Sequence, residues 1–135
     1  MSIETIGAGL KTRLDTITGL RVFAPNELPG SANELPAAFI IPGGVDYNSD
    51  FSANYALTFR VVIAVTRQDE ATAHDAILTY MEPSGTNSVL AAIEADRTLN
   101  GTCDAARVLR NLGIRTWTMG GVDYLATEFE VLVYA

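Results

Sequence analysis

The stretch Tyr55–Thr66, YALTFRVVIAVT, decides how the rest of the chain is read. Leu57, Phe59, Val61, Ile63 and Val65 fall on one side of an extended chain, and Thr58, Arg60, Val62, Ala64 and Thr66 on the other. Such alternation, dense in β-branched and aromatic types, is the pattern of a strand with one face on a core and the other semi-polar. The stretch therefore predicts the central strand of a sheet.

Upstream of it, Ala37–Ile41, AAFII, reads as a short apolar strand closed by Pro42. Residues 43–54, GGVDYNSDFSAN, then interrupt the hairpin between the two strands as a long polar arm carrying Tyr47 and Phe51. An arm of this length with isolated aromatics is either an interaction element or a variable loop. Further back, Pro25–Pro36 holds three prolines and reads as an extended surface connection, and Arg21–Ala24 as a short strand. Ser2 is placed to cap a helix over Ile3–Ile17, where Ile3, Ile6, Leu10, Leu14 and Ile17 share one face. Gly7 and Gly9 each cost this helix about 1 kcal/mol relative to alanine, so they predict late initiation or close backbone packing. Thr5–Gly9 is no phosphate loop, because no strand precedes it.

Downstream, Asp69 can cap a helix over Glu70–Met81 that turns Ala73, Ile77 and Met81 or Tyr80 inward. Pro83-Ser84-Gly85 breaks the chain, and Asn87 or Ser88 starts a shorter helix to Asp96 that buries Val89 and Ile93. Thr98–Cys103 is a turn. From Ala106 to the end the chain reads as a hairpin closed by Gly120-Gly121, a pair that tolerates positive φ at both central positions. Pairing Met119 with Val122 sets Leu112 against Phe129, Ile114 against Thr127, Thr116 against Leu125 and Val108 against Val133, all on one apolar face. The same register puts Trp117 beside Tyr124, Leu109 beside Leu132, Arg107 beside Tyr134 and Arg115 diagonal to Glu128 on the other face.

These segments predict an α+β protein: a mixed, mainly antiparallel β-sheet with two to three helices packed on one face and a long C-terminal β-hairpin, in a single domain over 1–135. The face away from the helices is unusually apolar for one that meets water. Either it is a protein interface, or a loop or the Pro25–Pro36 segment folds across it. The candidate interface residues are Tyr47 and Phe51 on the arm and Arg60, Val62, Leu109, Trp117, Tyr124, Leu132 and Tyr134 on the sheet.

Composition narrows the function classes. Sixteen acidic against nine basic residues give a net charge of −7 with the basic residues scattered along the chain, a pattern against direct nucleic-acid binding. The one cysteine, Cys103, has no partner for an internal disulfide or a zinc site. No leader pattern and no membrane-length apolar run is visible, which predicts cytosolic synthesis and no membrane partner. Lone His74 lacks a second ligand or a nucleophile, and Glu94 and Asp96 diverge on their helix, so no catalytic, cofactor-binding or metal-binding residue is assigned and no cofactor is expected. An enzymatic or small-ligand α+β domain stands as the alternative of a different class, although no phosphate loop, serine elbow or His–carboxylate pair supports it.

The order of features adds a family. Tyr80-Met81-Glu82-Pro83-Ser84-Gly85 leading into Ser88–Asp96, then Thr98-Leu99-Asn100-Gly101 and a closing hairpin with Gly120–Leu125, resembles the tail-terminator or tail-completion proteins of long-tailed bacteriophages. The resemblance spans nearly the whole chain and rests on structural rather than chemical motifs. It implies a non-enzymatic virion protein of the tail-neck region, made in the host bacterial cytoplasm. It further implies a six-membered homo-oligomeric ring that caps the tail tube protein, stops its growth and presents the surface joined by head-tail connector proteins. Genomic DNA would pass through the lumen without specific binding, and a lumen poor in basic side chains would not trap phosphates. Other neck, head-completion or tube components share this size and composition and are the nearest alternative.

Overall fold

The computed structural model describes residues 3–27, 35–47, 55–66 and 71–134. The chain runs α1 (Ile3–Leu14), β1 (Arg21–Phe23), a 3-10 turn (Pro25–Glu27), β2 (Ala37–Asp46), β3 (Ala56–Thr66), α2 (Ala71–Met81), α3 (Val89–Glu94), β4 (Ala105–Met119) and β5 (Val122–Tyr134). One five-stranded sheet has the order β1-β2-β3-β5-β4, in which only β1 and β2 run parallel. The fold is α+β, with a C-terminal hairpin and β3 in the middle of the sheet, as its alternation requires. Among the described residues no helix is long and apolar enough to cross a membrane.

The helices lie on one face. Leu57, Phe59, Val61 and Ile63 of β3 pack with Ile6, Leu10 and Leu14 of α1, Val89 and Ile93 of α3, and Phe129, Val131 and Val133 of β5. Ala73 and Ile77 of α2 close the far end over Leu125. The glycines of α1 answer to packing: a Cβ on Gly9 would stand 2.5 Å from the Leu99 carbonyl oxygen, so α1 comes this close to the turn only without a side chain there. Ser88 is the N-cap of α3, its hydroxyl accepting from the Ala91 N–H at 3.1 Å and donating to the Glu82 carbonyl. The 69–70 start expected for α2 lies outside the described residues.

Two expectations are corrected. Pro42 does not close β2, which continues to Asp46 through a bulge in which Gly43 and Gly44 oppose Thr58 alone. β1 pairs only with Ala37–Phe39, so β2 is an edge strand by Pro42, and edges and bulges are where a residue without an N–H is accommodated. The first four residues of the proposed 43–54 arm are therefore strand. Of the remainder Tyr47 is described, and Phe51 lies outside the described residues.

The hairpin register is the second correction. From Met119↔Val122 to Ile114↔Thr127 it runs as expected around Gly120-Gly121, whose φ values are 61° and 78°. It then slips twice: Asn111, not Leu112, opposes Phe129, and Val108 opposes Val131 rather than Val133. Arg107 thus lies beside Leu132 and Ala105 beside Tyr134, so neither the Leu109–Leu132 nor the Arg107–Tyr134 pair forms. The first slip is built around Thr127, which is fully buried on the helix side. Its hydroxyl donates to the Gly113 carbonyl at 2.9 Å and accepts from Asn111 Nδ2 at 2.8 Å, while Gly113 takes a φ of 89°. A regular strand would have turned Arg110 toward the helices. Between the two bulges it faces the other way, opposite Glu130.

Candidate functional site: the helix-free face of the sheet

The face away from the helices divides along the strands into three zones. At the β1 end, Ala37, Ala64 and Ala126 on neighbouring strands form a floor of small side chains. Phe39, Val62 and Tyr124 lie in the same cluster, with Phe23, Leu35, Trp117, Met119 and Val122 against it. The Phe23 and Phe39 rings stack at 5.3 Å between centroids, and Phe39 meets Trp117 at 5.1 Å. β2 and β4 are three strand spacings apart, roughly 14 Å in a flat sheet, so these two rings meet by reaching toward each other over the alanine floor.

This zone revises the expectation of a bare patch. Val62 and Tyr124 are each 1% exposed, so they meet this chain itself and present nothing to a partner. Trp117 is half-buried beside them. Phe39 and Phe23 escaped the sequence reading, although AAFII alternates Ala37 with Phe39 toward this face and Phe39 sits opposite Val62.

The middle zone is charged. Arg60 grips Glu128 with both nitrogens of its fork, Nε to Oε2 at 3.0 Å and Nη2 to Oε1, and Arg110 reaches Glu130 at 3.1 Å. Glu128 is buried, so its charge needs this bidentate partner. The hydrogen bond to Glu128 holds the Arg60 guanidinium above its ordinary pKa, against the opposing effect of partial burial. Arg115, expected near Glu128, instead donates to the Leu112 carbonyl at 3.2 Å.

The third zone, toward the start of β4 and the end of β5, is open. Leu132 is half-buried, Tyr134 is 45% exposed, and Leu109, pushed out at the second bulge, is 48% exposed. Arg107 is exposed alongside. Tyr47, 64% exposed, meets Tyr55 edge-on at 5.8 Å where the arm leaves the sheet. The sequence-derived candidates therefore do not form one patch: three join an internal cluster, Arg60 joins an ion pair, and Leu109, Leu132, Tyr134 and Tyr47 stay accessible.

The arginines, scattered in sequence, are gathered in space. Register places Arg21, Arg60, Arg107, Arg110 and Arg115, five of the nine basic residues, on the helix-free face against the carboxylates of Asp46, Glu128 and Glu130. Arg21 covers the Phe23 ring at 5.8 Å, a cation–π contact. This face thus sets aromatic and arginine side chains beside exposed Leu109, the side-chain types enriched where proteins meet. Among the described residues no three His, Cys, Asp or Glu side chains gather in a metal-binding cluster. The Cys103 thiol is pushed up by burial and by Asp104 and Asp96 nearby. No protein-family model matches the chain, and no curated protein matches it.

Proposed function

We propose that this chain is a non-enzymatic assembly protein that works through its helix-free sheet face, and more particularly a tail terminator of a long-tailed bacteriophage. The observation that carries the first step is the open third zone, where Leu109 and Tyr134 stand exposed beside Arg107. Exposed apolar side chains next to arginine are the composition of protein contacts. The second step rests on the resemblance of the Tyr80–Gly85 break, the Ser88-capped helix and the Thr98–Gly101 turn to that family. In this reading copies join side by side into a closed six-membered ring on the end of the tail tube. The arginine-bearing face lies in contacts between subunits rather than in the lumen, since guanidinium groups there would hold DNA phosphates.

The test is tube growth. Purified protein added to polymerising tail-tube subunits is expected to stop elongation and to be seen by electron microscopy as a ring at the tube end. Tubes of unchanged length without a terminal ring would overturn the reading. Virions made without the protein are expected to carry tails of abnormal length.

A further inference from the structure

Two leucines stand out as exposed among the described residues, Leu78 on α2 and Leu109 on β4, and each is flanked by charges of one sign. On α2, Asp75, Leu78 and Glu82 follow at three- and four-residue steps and so share one stripe. Glu82 stays on that stripe because its N–H continues the last turn to the Leu78 carbonyl at 3.2 Å. Both carboxylates are exposed, and α2 carries no Lys or Arg. On β4, Leu109 stands between Arg107 and Arg110, both exposed and both on the helix-free side, Arg110 also holding Glu130 at 3.1 Å.

We infer that the Asp75–Leu78–Glu82 stripe of one copy docks on the Arg107–Leu109–Arg110 stretch of a second copy, leucine on leucine with the flanking charges opposed. Complementary charge selects this occupant. The chain is −7 overall, while among the described residues the helix-free face carries five arginines against three carboxylates, so its natural counterpart is the acidic remainder of another copy. Spacing agrees: Asp75 and Glu82 are about 10 Å apart along the helix. Arg107 and Arg110 are about 7 Å apart, because the bulge lets three steps of β4 span two of β5, and long guanidinium side chains cover the difference. Register puts Arg107 and Arg110 on the side of the sheet away from α2, so the two charged pairs cannot meet within one molecule. The contact is therefore head-to-tail, the kind that closes into a ring. It deepens, and rests on, the ring assembly proposed above.

The test is charge reversal with cross-rescue. Arg107→Glu/Arg110→Glu and Asp75→Lys/Glu82→Lys are made separately, and self-association is followed by sedimentation from about 1 µM to about 1 mM protein at low and high salt. Each variant alone is expected to keep its circular dichroism and melting temperature but to associate roughly tenfold or more weakly than wild type. An equal mixture is expected to regain assembly, since each variant's altered surface then faces its complement in alternation. Wild type that stays monomeric throughout this range, variants that assemble like wild type, or a mixture that does not recover would each overturn the contact. So would variants whose only defect is loss of duplex DNA binding. Wild type that assembles through this contact yet leaves tube growth unchanged would instead overturn the tail-terminator reading and leave the contact standing.

Discussion

On the helix side of the sheet, Phe59, Val61 and Ile63 of β3 meet Leu10, Ile93 and Phe129 under three helices. On the other side Val62 and Ala64 of the same strand meet Phe39, Trp117 and Tyr124 with no helix above them among the described residues. The first arrangement buries large aliphatic side chains by stacking a second layer of secondary structure. The second buries aromatics by laying them over alanines, and it extends over only part of the face. Where the alanines end, the face turns to ion pairs and then to exposed Leu109 and Tyr134. A sheet face can thus be part core and part exposed surface along one set of strands.

The comparison breaks most readily at its strongest point. Phe59→Ala on the helix side is expected to cost about 4 kcal/mol in denaturant unfolding followed by circular dichroism. A loss under about 1 kcal/mol would mean the helix layer contributes little to the core. Tyr124→Ala on the opposite face is expected to cost about 3 kcal/mol, and half-buried Trp117→Ala about 1 to 2, measured in the same way. If Tyr124→Ala left stability unchanged, the aromatic cluster would be ordinary surface and the contrast between the faces would collapse. Glu128→Gln is expected to cost about 1 kcal/mol, kept low because Arg60 is partly solvated, and a double-mutant cycle with Arg60→Met should return most of that as coupling.

The smallest effect sits on the helix side, in the turn that carries buried Leu99. Asp96 accepts from the Thr98 hydroxyl at 2.7 Å and from the Thr98 and Asn100 N–H groups, chiefly the Thr98 bonds holding its carboxyl below the ordinary aspartate pKa. A pKa depressed in the folded state contributes stability above the unfolded value and loses it as pH falls through the folded one. The melting-temperature gap between wild type and Thr98→Ala is therefore expected to be full at pH 7 and to narrow below about pH 4. A gap that does not change with pH would remove Asp96 from the account.

Much of the fold is legible in the sequence. The alternation of β3 from Leu57 to Ala64, the α1 stripe from Ile3 to Leu14 and the Gly120-Gly121 turn agree with the sequence, because each depends on residues within a turn or two of one another. Ser88 rather than Asn87 caps α3, α1 stops short of Ile17, and a register shift at Val65 sets Thr66 opposite helix-side Leu125. The register of β4 does not follow in this way. Its slip turns on the buried Thr127 hydroxyl, which recruits Asn111 and Gly113 from the facing strand, and on the cost of aiming Arg110 at the helices. The site was half legible. The apolar character of the second face was visible in Val62, Trp117 and Tyr124, but Phe39 could not be joined to Trp117 without knowing that β2 and β4 flank the β3–β5 pair.

What the amino-acid order alone determined here is where strands, helices and turns form and which side of β3 carries the core. These follow from side-chain period and from the φ values that glycine, proline and capping residues allow. Only the tertiary structure decided which apolar residues are left exposed. Burial depends on what lies across the sheet, so Tyr124 disappears beneath its own chain while Leu109 stands in solvent at the second bulge of β4.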